Sequence, residues 1–367
     1  MEEITSPLRL KASSVVVSPH VLGWLLEEDE PSVRASTLVE VLGEDEREDS
    51  VEKTKEHIGA RGWAAGIFHR QKEHTYWDNP DSCYLPKWSS CIWQLMVLAD
   101  LGVSGDDPRT RNSVDHFLNL HNVETGGISL RPRGSEKFEP HVCATGNMVR
   151  ALTRFGYYSD DRVVKALDWL VSQQLADGGW NCFAIWGGRH GSFKATIEPL
   201  WALAEILPRN SREAWRESAK KGSEFLLQHR IFKSDRDDSV VLLEFMSSHY
   251  PIHYKYDFLH ALRVLTSLGT MEDTRLNDAV NLLLEKRLPD GRWPLDAVYR
   301  GWRTPRPQHG AGAYRPEEDE VITYGWGSGR TFQLEEAGKP SKWITLQALL
   351  ALKRLGLVAP VVSKMAN

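Results

Sequence analysis

A short turn recurs along this chain at a spacing that two helices and their connections fill. It is seen at Gly62-Trp63, Gly126-Gly127-Ile128, Gly178-Gly179-Trp180, Ile231-Phe232 and Gly291-Arg292-Trp293. From Trp63 to Ile128 is 65 residues, from there to Trp180 is 52, to Phe232 another 52, and to Trp293 is 61. A unit of that size cannot bury its apolar face alone, whereas stacked copies can. The repeat therefore predicts one continuous helical array, and it overrides the two-domain prior that 367 residues would otherwise suggest.

Two kinds of helical segment alternate around these turns. Residues 163–175 read VVKALDWLVSQQL, with Val164, Leu167, Leu170 and Val171 on one stripe, and Asp177-Gly178-Gly179 stops them. Similar amphipathic runs start near Val114, Glu224 and Ala279. After each turn comes a second run, starting near Trp88, His141, Phe193, His253 and Lys342, which is apolar around more of its circumference. Such a helix is buried on most sides. The pattern predicts outer amphipathic helices alternating with inner buried ones, and almost no strand. Residues 31–43 supply a sixth, less regular member. Residues 1–19 and 359–367 read as tails around a single unit over 20–358. The charged stretch 44–55 reads as a solvated connection, and 300–337, rich in Gly, Pro and aromatic residues, as a long irregular loop.

Bulk properties exclude several classes. With 45 basic and 50 acidic side chains the net charge is −5, which offers no general grip on nucleic acid. No apolar run approaches the roughly 18 residues of a spanning helix. The start, MEEITSPLRLKASS, lacks the apolar core of a secretory signal. Four cysteines (Cys83, Cys91, Cys143 and Cys182) are too scattered to staple the chain, which fits a reducing, cytoplasmic setting. The 14 Trp outnumber both Phe and Tyr, and several of them fall at the repeated turns.

One copy of the repeat carries a resemblance. Lys165, Trp169, Leu170, Gln173, Gly178 and Trp180, in KALDWLVSQQLADGGW, resemble the glutamine–tryptophan repeat of squalene–hopene cyclases, oxidosqualene cyclases and their smaller relatives. Gly291-Arg292-Trp293 keeps its Gly-x-Trp end. The resemblance covers about residues 20 to 358 and extends to the prenyltransferase and squalene-oxidase repeat group. It implies an all-α fold, a single (α/α)6 toroid as in class II terpene cyclases and protein prenyltransferase β-subunits. Six parallel inner helices would surround a central cavity and six outer helices would run back. The mouth would be built from the inner helices' N-terminal ends, where unpaired amides favour anions. The repeat tryptophans would brace neighbouring helices.

Asp235-Arg236-Asp237-Asp238 resembles the Asp-x-Asp-Asp motif of class II cyclases, and by that resemblance Asp237 protonates an alkene or epoxide. Neighbouring carboxylates raise one another's pKa, which suits an acid. The tetrad also reads as a solvated turn in which Asp238 or Ser239 caps a helix. His253, Asp257 and His260 fall at i, i+4 and i+7 and, with Tyr254 and Tyr256, form a second cluster fit for acid–base work. Residues 141–147 open an inner helix with small and polar side chains. Glu198 is an acid in an apolar stretch, and Pro199 after it marks a helix start or a kink. Trp88, Trp93, Trp201 and Trp343 fall on inner helices. The expected substrate contacts are Trp88, His141, Asn147, Glu198, Tyr254 and Trp343. A zinc site from Cys143, Cys182 and His253 has no CxxC or HExxH motif behind it, so the thiols read as structural and neither metal nor cofactor is expected.

These readings point to an isoprenoid-handling enzyme, a single-domain class II-like terpene cyclase that protonates an apolar polyprenyl-type substrate. A lipid substrate calls for peripheral membrane contact. A carbohydrate-active (α/α)6 hydrolase or lyase would instead show two acids about 5 to 10 Å apart across an open cleft. A non-catalytic binding or scaffold protein would have its centre filled by side chains.

Overall fold

A computed structural model of the chain describes residues 15–184, 187–297 and 334–359. In chain order its helices are α1 (Pro19–Leu25), α2 (Pro31–Ser36, continued by the π-helical turn Thr37–Leu42), α3 (Asp49–Glu56), α4 (Gly62–Phe68), α5 (Cys91–Asp100), α6 (Pro108–His121) and α7 (Val142–Arg154). There follow α8 (Asp161–Ser172), α9 (Phe193–Ile206), α10 (Glu213–Gln228), α11 (Phe258–Ser267), α12 (Asn277–Glu285) and α13 (Lys342–Arg354). Among the described residues there is no strand, only isolated bridges. One of these joins Val15 to Val358, so packing starts ahead of residue 20. The long loop expected at 300–337 lies outside the described residues up to 333.

Six of these helices are inner. Every residue of α5 is buried, and α13 is buried from Lys342 to Leu352. Outer α8 buries only Val163, Ala166, Leu167 and Leu170. Its stripe therefore runs one residue ahead of the one that Val164 and Val171 suggest, because Ala166 completes the i, i+3, i+4, i+7 set. The inner helices pack in the order α5, α7, α9, α11, α13 and α2. Glu40, Leu101, Arg154, Glu205, Thr266 and Arg354, all from C-terminal ends of inner segments, line one polar basin of about 660 Å³. Six inner helices whose like ends meet in one basin are parallel and closed into a ring. The fold is an all-α (α/α)6 toroid, with α1, the α3–α4 pair, α6, α8, α10 and α12 outside.

The repeat is written in hydrogen bonds. The same tight turn closes at Lys72 N–H to Tyr76 C=O, Val123 to Gly127, Leu175 to Gly179 and Leu288 to Arg292, at 2.8 to 3.0 Å. The first copy is thus Lys72–Trp77, and Gly62-Trp63 instead opens α4. Trp77, Trp180 and Trp293 follow three of these turns, each donating its indole N–H to the carbonyl ten residues back, Ile67, Leu170 and Leu283, at 2.7 to 2.9 Å. The glutamine of the motif is Gln174, whose amide donates to Gly178 and Ser218 carbonyls; Gln173 reaches only Ser172. Gln71 does the same for the first copy, toward Arg109 and Ser113. The turns are then tied to the next inner helix: Ile128, Trp180 and Trp293 donate their N–H to Thr145, Thr196 and Thr345.

Two local expectations change. The charged stretch 44–55 contains most of outer helix α3, which buries Val51 and Thr54 and turns its charges outward. Helix α9 runs unbroken through Pro199. Gly146 of α7 makes this close packing work: a Cβ there would lie 2.6 Å from the Glu198 carbonyl carbon and 2.7 Å from the Pro199 nitrogen. Proline carries no N–H to keep paired, so α7 can approach α9 at that point.

Candidate active site

The ring's N-terminal mouth is filled by the chain itself. Residues 248–257, which lead into α11, carry Tyr250, Ile252, His253 and Tyr256 at 5 % exposure or less. Tyr250 stacks on Trp343 of α13 at 4.5 Å. His253 lies against Trp88 and against Trp93 of α5, at 5.3 and 5.5 Å, and Tyr254 meets Trp93 edge-on at 4.9 Å. Tyr256 meets Phe193 of α9 at 5.3 Å. A segment that touches α5, α9 and α13 at once crosses the axis. The void left beneath it, beside Asp100, Tyr250, His260, Arg263, Trp343 and Gln347, measures about 10 Å³. That is room for about one water molecule.

Below this aromatic plug lies a buried polar centre. Arg150 of α7 pairs with Asp100 of α5 at 2.6 Å, and neither side chain is more than 4 % exposed. The Arg150 guanidinium sits 3.8 Å over the Trp201 ring, and His260 meets that ring edge-on at 4.4 Å. Glu198, on the α9 face that meets α7, is 1 % exposed, and neither of its carboxyl oxygens makes a hydrogen bond among the described residues. Burial pushes its pKa well above the carboxylate range, with the Arg150 charge and the Asn147 amide pulling the other way. Desolvation wins because the water lost on burial outweighs what Arg150 and Asn147 return. Burial likewise drives His260 well below the usual imidazole range, helped by Arg263 and Arg150, and both its ring nitrogens are unpartnered. The Tyr250 hydroxyl is unpartnered as well. So many orphaned polar atoms on one axis set this place apart from ordinary core.

The Asp-rich tetrad is elsewhere. Asp235, Arg236, Asp237 and Asp238 are exposed in a turn closed by Ser234 N–H to Ser239 C=O at 2.7 Å. The Ser239 and Ser234 hydroxyls hold Asp237 below the usual carboxylate range, and Asp238 pairs with Arg230 and Lys233 at 3.1 and 3.4 Å. This corrects the assignment of Asp237 as a proton donor: hydrated, hydroxyl-bound carboxylates stay ionised and have no proton to give at neutral pH. Asp257 is the N-cap of α11, accepting from the amides of His260 and His249 at 2.8 and 2.9 Å. His253 precedes that helix with φ +42°, so the three-residue helix face expected from i, i+4, i+7 does not form. Burial pushes the His253 imidazole down to about 3, which keeps it neutral.

Among the expected substrate contacts, Trp88 lies in the loop ahead of α5 with φ +74°, not on the helix, but its ring does reach the centre. Asn147, Glu198, Tyr254 and Trp343 line the axis. His141 caps the start of α7 and is half-buried. Arg150, Asp100 and Arg263 were not anticipated. Their signal was a single charge inside each of three otherwise apolar inner runs, MVLAD, NMVRAL and LHALRVL. No group of three or more His, Cys, Asp and Glu side chains suited to a metal ion occurs among the described residues, and none of their helices is long and apolar enough to cross a membrane.

No protein-family model matches the chain and no curated protein matches it by sequence. Among solved structures it is similar to a protein from Actinoplanes, at 15% identity over 90% of each chain and TM-score 0.42. The type II terpene cyclase MstE from Scytonema matches at 16% identity, over 90% of this chain and 88% of that one, with TM-score 0.43. A GH76 α-mannanase of Bacteroides thetaiotaomicron matches at 12% identity, over 91% and 85%, with TM-score 0.44. Likenesses at this level say nothing about chemistry; the toroid rests on the helix order and the shared basin described above.

Proposed function

We propose that this protein is an isoprenoid-handling enzyme of the class II cyclase type, in which Glu198 protonates an alkene of a polyprenyl substrate. The supporting observation is that Glu198 is 1 % exposed beside Arg150 and Asn147 with neither carboxyl oxygen hydrogen-bonded among the described residues, and burial pushes its pKa well above the carboxylate range. An acid can protonate an alkene only where water does not level it, and the cation so formed would be held by ring faces such as those of Trp93 and Trp88. The other carboxyls near the axis, Asp100, Asp257, Glu30 and Glu335, are bonded to Arg150, to the α11 cap, to the Trp63 amide and to the start of α13. A carboxyl with neither oxygen hydrogen-bonded among the described residues suits proton-initiated chemistry, whereas glycoside hydrolysis needs a pair of acids across a cleft. Substrate entry requires residues 248–257 to move aside.

A second reading draws on the same segment: a centre filled by Tyr250, His253 and Tyr254 also suits a protein with no chemistry at its axis. Incubation with linear C15 to C30 polyprenyl compounds in deuterated water separates the two. The cyclase reading expects deuterium in a cyclised product, and its loss in Glu198→Gln with the helical circular dichroism unchanged. Full turnover by that variant would remove Glu198 from the role. Absence of product together with absence of any polyprenyl-induced stabilisation would leave the non-catalytic reading standing.

A further inference from the structure

The small void beneath the plug is walled by donors that have no acceptor. It lies between Asp100, Tyr250, Asp257, His260, Arg263 and Gln347, and its volume of about 10 Å³ admits one small occupant. Tyr250 is 1 % and His260 2 % exposed, and the Tyr250 hydroxyl and both His260 ring nitrogens lack a hydrogen bond among the described residues. Arg263 of α11 likewise makes no hydrogen bond or ion pair through its side chain among them. Its guanidinium carbon rests 5.2 Å from the centre of the Trp201 ring. The arginines around it are matched: Arg150 by Asp100 at 2.6 Å, Arg154 by Glu205 at 3.1 Å and Arg354 by Glu40 at 3.4 Å. Both carboxylates that border the void are engaged elsewhere, Asp100 with Arg150 and Asp257 with His249 and the His260 amide. One guanidinium beside the void is therefore left without a carboxylate against it. Burial pulls its pKa down to about 10, which still leaves it charged at neutral pH.

We propose that this void is a site for one small monovalent anion of the halide type, chloride being the common one, held by Arg263, the Tyr250 hydroxyl, the His260 N–H and the Gln347 amide. A partly desolvated cation without a counter-charge is costly, and an anion against it removes that cost. Water fits the volume, but it brings no charge and must donate as well as accept. A halide only accepts, and it takes several donors at once, which is what this wall presents. A carboxylate or a sulfate exceeds the volume. His260 is held neutral by burial, so it offers one N–H and adds no competing charge. Tyr250 belongs to the plug and Arg263 to α11, so the ion ties residues 248–257 to the ring. The site holds whether or not the axis carries chemistry.

Thermal unfolding of the native chain in sodium chloride and in sodium gluconate at equal ionic strength tests this. The midpoint should rise by about 2 °C for each tenfold increase in chloride above its Kd, and stay level in gluconate. Arg263→Gln should abolish the difference. Arg111→Gln, in an exposed pair with Asp106, should keep it. Equal midpoints in the two salts, or a chloride effect that survives Arg263→Gln, would overturn the proposal. Should Arg263→Gln fail to fold, crystals of the unaltered protein grown in bromide decide, because bromide scatters anomalously. A bromide peak within hydrogen-bonding reach of Arg263 and Tyr250 supports the site, and an ordered water in its place overturns it.

Discussion

Glu30 shows what burial does to a carboxyl that keeps one good hydrogen bond. Its Oε2 accepts the Trp63 amide at 2.8 Å, its Oε1 has no partner, and desolvation pushes its pKa from 4.5 up to about 7. A folded-state pKa above the unfolded one means that the native state holds the proton more tightly. Stability from this group is complete below pH 4.5 and is lost as pH rises toward 7. The loss is about 3.5 kcal/mol at most, since each pKa unit is worth ~1.4 kcal/mol. Glu30→Gln keeps an acceptor for Trp63 and removes the titration. Urea unfolding should therefore show the stability difference between wild type and variant shrinking from pH 4.5 to 7 in the variant's favour; parallel pH curves would mean Glu30 does not titrate there. The same competition explains why the acid motif misled. Asp237 has the spacing of a catalytic tetrad's acid, but the exposed turn surrounds it with water and with the Ser239 and Ser234 hydroxyls, which hold it below the usual carboxylate range. Glu198 has no motif around it. Its only mark in the sequence was a charge among apolar residues, and only the packing of α7 on α9 removes its water.

At the scale of one element, the turn is the unit that the tryptophans stabilise. Each of Trp77, Trp180 and Trp293 is at most 2 % exposed and returns its indole N–H to the preceding outer segment. Replacing Trp293 by Phe keeps most of the apolar contact and leaves the Leu283 carbonyl without this donor, at a cost of about 1 kcal/mol. The matching change at Trp180 should cost a similar amount, and the double variant about the sum, because the sites belong to separate repeats. Urea midpoints measure this; a cost below about 0.3 kcal/mol at both sites would mean the indole bonds do not brace the turns. The array, its alternation and its approximate period were readable from such turns because each is local. The first copy was not, since Lys72 to Tyr76 forms the turn without a glycine, using φ near +50° at Glu73 and His74. Likewise α3 was hidden by its charges: Val51 and Thr54 alone face inward.

Across the whole molecule, the ring leaves an axis that something must fill, and residues 248–257 fill it. Their conformation depends on contacts with α5, α9 and α13 together, none of which is near in sequence, so no local pattern announces it. Tyr250 is the test position: it is 1 % exposed, stacked on Trp343 and tilted against Trp63 at 6.2 Å. Tyr250→Ala removes the ring and leaves a void on the axis, at a cost of about 3 to 5 kcal/mol by analogy with other buried aromatic truncations. The void has Trp343 and Trp63 on one side and borders Asp100, His260 and Arg263 on the other, so water and an apolar guest compete for it. If the axis is built for polyprenyl chains, geranylgeraniol should stabilise the variant more than the wild type, recovering about 2 to 3 kcal/mol at a hundredfold excess over its Kd. Thermal unfolding with and without the alcohol reads this directly. A variant that loses the stability and recovers none of it would assign the segment to packing alone, and the polyprenyl reading of the centre would fall with it.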